Sequence, residues 1–227
     1  MSNQTTVKTK ASDMFFLAAI AYLLTLVAPI LGSFINQNDL VAMLITRVIA
    51  MAAWAFGAWG LARSSKKECG FDLLDKAAKP TALQWVLASA ATVAFIAYCI
   101  IDGAENYVAS FQSLKTASDY VYFITYYLMN AVQACVVTLI IVFAQKGGDL
   151  AIGLGKYIPF GGIALGICWA AANLLGNIEY FSMDPAGILL SALWMLIYGI
   201  IFGVIYLLIG KKPLYALIFI APAFVLM

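Results

Sequence analysis

Of the 227 residues, 64% are hydrophobic and 11% charged, with a formal net charge of +2, so polar surface is too scarce to coat a water-soluble globule. The mean hydropathy of +0.96 excludes an ordinary soluble enzyme. The absence of histidine removes the commonest metal ligand and the commonest general base near neutral pH, and no Cys-only or carboxylate-only spacing replaces it. No metal, cofactor or nucleic-acid partner is expected.

Apolar runs long enough to cross roughly 30 Å of hydrocarbon recur along the chain, and they are continuous rather than alternating, which selects helices over barrel strands. The polar start MSNQTTVKTKASD, residues 1–13, forms a cytoplasmic tail in this reading. No small-residue cleavage site closes the apolar run behind it, so the first span is an anchor. Spans are predicted at about residues 14–35, 40–62, 82–101, 120–145, 158–177, 186–209 and 213 to the end. Together they make an all-α, seven-helix membrane bundle, a single polytopic domain over residues 1–227. The last span is short for a full crossing, so it is either tilted into a protein-lined cavity or missing a tail.

Lysine and arginine set the orientation, because their excess marks the cytoplasmic side. Of thirteen basic residues, Lys115 lies outside and Arg47 within a span when the N-terminus is cytoplasmic; the other eleven face the cytoplasm. Asp39, Asp102, Glu105, Asp119, Glu179 and Asp184 gather on the external side. The longest internal loop, ARSSKKECGFDLLDKAAKPTALQW, fits contact with anionic lipid headgroups at about 1 kcal/mol per basic residue. After the fourth span, GGDLAIGLGKYIPF either lies in the interface or extends that helix. Cys99, Cys135 and Cys168 sit inside apolar runs and Cys69 in the basic loop, with no disulfide framework among them.

Ionisable and amide side chains inside hydrocarbon are costly, and few occur here. Arg47 lies about two turns below the external end of the second span, within reach of an ion pair with Glu105 or Glu179. Asn130 and Gln133, three apart, share a face of the fourth span; Asn173 and Asn177, four apart, share one of the fifth. Such amides either join helices or line a polar pocket between the fourth, fifth and sixth spans. Gly162 and Gly166, and Gly199 and Gly203, form GxxxG pairs suited to close packing within the chain or between copies in a homo-oligomer.

Four pieces, in this order and spacing, carry a family resemblance: KKECGFDL, VFAQKGGDL, ICWAAANLL and YGIIFGVIYLLIGKKPLYALIFIAPAF. Over roughly residues 60–227 the chain resembles the CPBP family, the intramembrane CAAX-protease and bacteriocin-processing proteins also called Abi. VFAQKGGDL is similar to the family's EExxxR segment, and ICWAAANLL to its FxxxH helix, with Trp169 in the aromatic position. In that family two adjacent glutamates and two histidines activate water. The resemblance places the glutamates on Ile141 and Val142, the arginine on Lys146, the first histidine on Asn173, and the last His/Asn pair on Pro222 and Leu226. Neither a branched alkane nor an asparagine amide takes a proton from water near neutral pH. If the fifth helix starts near Tyr157, Ile141 and Asn173 lie near opposite membrane faces. A shared pocket then requires a long, tilted fourth helix or a fifth that begins deeper.

The resemblance therefore implies a degenerate, non-enzymatic member: a binding or scaffold protein with a membrane protein or peptide as partner, in bacteriocin-type immunity or in regulating a cell-envelope enzyme. Its pocket is expected around Asn130, Gln133, Trp169 and Asn173, with membrane lipid surrounding the bundle. The alternative class is the substrate-binding membrane subunit of an ATP-driven importer, for which the run AAIAY in the first span offers a small-residue docking surface. No nucleophile and base can be paired for a protease of unrelated chemistry.

Overall fold

The computed structural model describes residues 9–34, 39–73, 79–154 and 156–227; Lys8 and Lys76 of the basic set fall outside them. Among the described residues there is no strand. The first apolar run is divided into α1 (Ala11–Thr25) and α2 (Val27–Ser33). The break has a local cause. Pro29 has no N–H to return to the Thr25 carbonyl, so the helical ladder lapses there. The Leu24 carbonyl at the break is taken instead by the indole N–H of the fully buried Trp54, at 2.6 Å.

Helix α3 (Leu40–Cys69) starts where Asp39 accepts from the amides of Val41 and Ala42, and stops at Gly70 in the left-handed region, φ 66°. It runs seven residues beyond the apolar limit predicted for it, because nothing in RSSKKEC opposes a helix before that glycine. Helix α4 (Ala82–Asp102) opens on a capping box between Thr81 and Gln84, and a short helix, α5 (Ala104–Gln112), follows it. Helix α6 (Ala117–Ile152), capped by Thr116 and Asp119, has 36 residues, about 54 Å at 1.5 Å per residue. Helices α7 (Phe160–Gly176), α8 (Pro185–Leu208) and α9 (Pro213–Val225) complete the fold, with Asp184 capping α8 ahead of Pro185.

Among the described residues, five segments are long and apolar enough to cross a membrane: Ala11–Ser33, Leu40–Cys69, Ala82–Asp102, Ala117–Ile152 and Pro185–Leu208. This is the make-up of a multi-pass membrane protein. The remaining two predicted spans are shorter apolar helices, α7 with 17 residues and α9 with 13, spanning about 26 and 20 Å.

Helix α6 is the axis of the bundle, touching α1, α3, α7, α8 and α9. Its stretch Val136, Val137, Ile140, Ile141, Val142, Phe143 and Ala144 is buried on every side, as a helix apolar all round must be. Phe16, Phe56, Trp59 and Leu83 on other helices stay exposed, as lipid-facing side chains do. Both GxxxG pairs are consumed within the chain. A Cβ on Gly162 would lie 2.5 Å from the Gly199 carbonyl oxygen and 2.7 Å from the Gly203 Cα, so α7 and α8 meet backbone to backbone.

The segment GGDLAI proves to be the last turns of α6, which ends at Gly153, φ 76°. Gly147 and Gly148 are buried there, because the rings of Phe15 and Phe160 occupy the space a side chain would need.

Candidate functional site

The C-terminal end of α6 carries a polar group with several partners among the described residues. Gln145, 1% exposed, donates from Nε2 to Asp149 Oδ1 at 2.9 Å and to the Ile158 carbonyl at 3.0 Å, and its Oε1 accepts the Gly161 amide at 3.1 Å. Asp149 then reaches across to the turn between α8 and α9, where its Oδ2 lies 2.6 Å from Lys211 Nζ. The Tyr206 hydroxyl donates to the Lys211 carbonyl at 3.2 Å. Lys211 follows Gly210 in the left-handed region, at φ 58°, a strained conformation for a residue with a Cβ. The ion pair and the tyrosine bond hold it there.

These groups surround a cavity of about 200 Å³, lined by Gln145, Lys146, Asp149, Tyr206, Lys211 and Lys212, with Phe71, Asp72 and Pro213 completing the wall. Lys146 Nζ sits 5.6 Å from the centre of the Phe71 ring, a cation-π contact. Asp72 pairs with Lys66 at 2.7 Å. The lining thus combines three lysines with two carboxylates, and each carboxylate is already ion-paired.

The residues singled out by the resemblance are not gathered into one pocket. Ile141 and Val142 are fully buried, and a Cβ on Gly161 would run into the Ile141 carbonyl oxygen, which puts Ile141 level with the first turn of α7. Asn173 lies twelve residues further along α7, about 18 Å away. Of the two adjustments, α6 is indeed long, with 36 residues, whereas α7 begins at Phe160 and not deeper. Asn173 donates to Ser191 Oγ at 3.1 Å and its Oδ1 is buried without a partner; its carbonyl accepts from Asn177 at 2.8 Å. Trp169 stacks on Phe224 with ring centres 5.9 Å apart and meets Phe202 edge-on.

Asn130 and Gln133 are half-buried on α6, and among the described residues no hydrogen bond joins them to Trp169 or Asn173. Pro222 lies inside α9, its carbonyl accepting the Leu226 amide at 3.3 Å.

Arg47 corrects an expectation. Its guanidinium, in a residue only 7% exposed, donates to the Tyr122 carbonyl and to Thr125 Oγ1, each at 2.6 Å. It also lies 4.1 Å from the centre of the Tyr122 ring. Neither Glu105 nor Glu179 is within ion-pair distance of it among the described residues, because α6 supplies acceptors and a ring face nearer than any carboxylate.

The Gln145 cluster was not anticipated from sequence, although Gln145 and Asp149 stand four apart in QKGGD and therefore share a face. Compared with models of protein families, with curated proteins and with solved structures, the chain matches none.

Proposed function

We propose that the chain is a non-catalytic, CPBP-like protein of the cell membrane, its N-terminus cytoplasmic and its two shorter apolar helices completing a seven-helix bundle, that acts by binding or scaffolding a membrane protein or peptide. The observation that supports this most is the sealing of Ile141 and Val142. At the depth where the family keeps its water-activating carboxylates, α7 presses its backbone onto α6 at Gly161, leaving no space for a peptide bond or a water. Concavities lie between α5 and α6, between α4 and α8, between α1 and α3, among α3, α6 and α9, and at the cytoplasmic cluster. Surfaces of that kind suit a partner that is held rather than cut.

The importer-subunit alternative gains no comparable support. Ala18 and Ala21 of the AAIAY run, 7% and 0% exposed, are spent on the chain's own core rather than displayed for a coupling protein.

The test is direct. Purified protein in lipid nanodiscs, incubated with CAAX-like and leader peptides and followed by mass spectrometry, should return every peptide intact. Reproducible cleavage that disappears in Asn173→Ala would overturn the non-catalytic assignment. Crosslinking in native membranes should then recover a membrane protein or a peptide, whereas recovery of an ATPase module would favour the importer.

A further inference from the structure

Lysines at the cytoplasmic face of a membrane protein are ordinarily solvated, and Lys66, Lys67 and Lys156 here are exposed. Lys146, Lys211 and Lys212 differ. They come from α6 and from the turn before α9, all three are half-buried, and all three line the same cavity of about 200 Å³. Two carboxylates share that lining, and both are engaged: Asp149 with Lys211 and Asp72 with Lys66. Lys146 and Lys212 are left facing the cavity with no carboxylate partner among the described residues. Two partly desolvated ammonium groups at one cavity, with no ion-pair partner among the described residues, call for an anion.

The place and size narrow the anion. The cavity sits where α6 and α8 leave their apolar stretches, at the level of the cytoplasmic headgroups in the orientation set by the basic residues. It is smaller than the roughly 300–1,000 Å³ of pockets that enclose a drug-sized ligand, so it admits a headgroup fragment and not a large solute. Gln145 and Tyr206 spend polar atoms on Asp149, on the Ile158 carbonyl and on the Lys211 carbonyl, so the lysines are the groups of this lining suited to a further anion.

We infer that this cavity binds a phosphate-bearing anion, of the kind an anionic phospholipid headgroup presents, between Lys146 and Lys212. The assignment goes beyond the partner-binding function and does not depend on it.

Full-length protein titrated with phosphatidylglycerol in a phosphatidylcholine background and read by native mass spectrometry should retain one anionic lipid per chain. The K146Q/K212Q variant should bind it about thirtyfold more weakly, at about a kilocalorie per lysine. K67Q/K156Q, with the same charge removed from the same face but outside the cavity, should bind as the wild type does, and K146R/K212R should retain binding. A parallel calorimetric titration with inorganic phosphate separates the sources. Saturation by phosphate alone, dependent on Lys146 and Lys212, would replace the lipid by a soluble phosphorylated molecule at the same site. Equal losses in the two Lys→Gln pairs, or no preference for phosphatidylglycerol over phosphatidylcholine together with no phosphate binding, would overturn the site.

Discussion

Gly161→Ala should cost the protein about 3 kcal/mol or more, the upper end of what overpacking does, while Gly60→Ala should be neutral or stabilising by up to about 1 kcal/mol. Each change adds one methyl group to a helix. On Gly161 the new Cβ meets the oxygen, carbon and Cα of Ile141, all backbone atoms, which cannot rotate aside as a side chain does. The whole of α7 would have to lift from α6 and carry α8 with it, since α7 and α8 are themselves in backbone contact at Gly162, Gly166, Gly199 and Gly203. On Gly60 a Cβ meets nothing within 4 Å, so only the helix preference of alanine remains. Thermal unfolding of the two variants in the same detergent measures the difference. Equal melting of the two variants would mean that α6 and α7 are not packed as described.

The same contacts show which levels of the fold can be read from sequence. Continuous apolar runs located every long helix, because hydrocarbon demands that a backbone bond to itself, and that demand does not depend on neighbours. The run VVTLIIVFA, apolar except for Thr138, is the stretch of α6 that other helices surround. The break between α1 and α2 is encoded by Pro29, and the extension of α3 by the position of Gly70. Depth is a different matter. Whether Ile141 faces Asn173 or Gly161 depends on how far α7 slides along α6, which is set by glycine contacts across helices and leaves no trace in the hydropathy of either.

Arg47 shows the same limit in electrostatic form. A buried cation suggests a carboxylate, but carbonyl oxygens, hydroxyls and ring faces serve it as well, and any helix can supply them. The cluster around Gln145 was hidden for a related reason. Gln145 and Asp149 are visible as a pair on one face, whereas Lys211 lies 62 residues beyond Asp149 and joins it only through the turn between α8 and α9.

Gln145→Leu should destabilise the protein by about 1–3 kcal/mol, because the buried Gly161 amide loses its acceptor while the Ile158 carbonyl keeps the Phe160 amide at 2.9 Å. The Gly161 amide lies in the first turn of α7, where an orphan N–H needs a cap and Pro159 supplies no side-chain oxygen. Gln145 reaches across from α6 to provide one, and its amide hydrogens serve the Ile158 carbonyl and Asp149 at the same time. Gln145→Glu separates these duties. A carboxylate still accepts from Gly161, but it sets an anionic oxygen against the Ile158 carbonyl and against the Asp149 carboxylate, so it should be no more stable than the leucine variant. The position therefore requires a group that accepts on one side and donates twice on the other, which an amide does and a carboxylate does not. Thermal unfolding of both variants, with hydrogen exchange at the Gly161 amide, provides the check. Wild-type stability in Gln145→Glu would show that the side chain does not donate to both oxygens, and unchanged protection of Gly161 in Gln145→Leu would show that it does not cap α7.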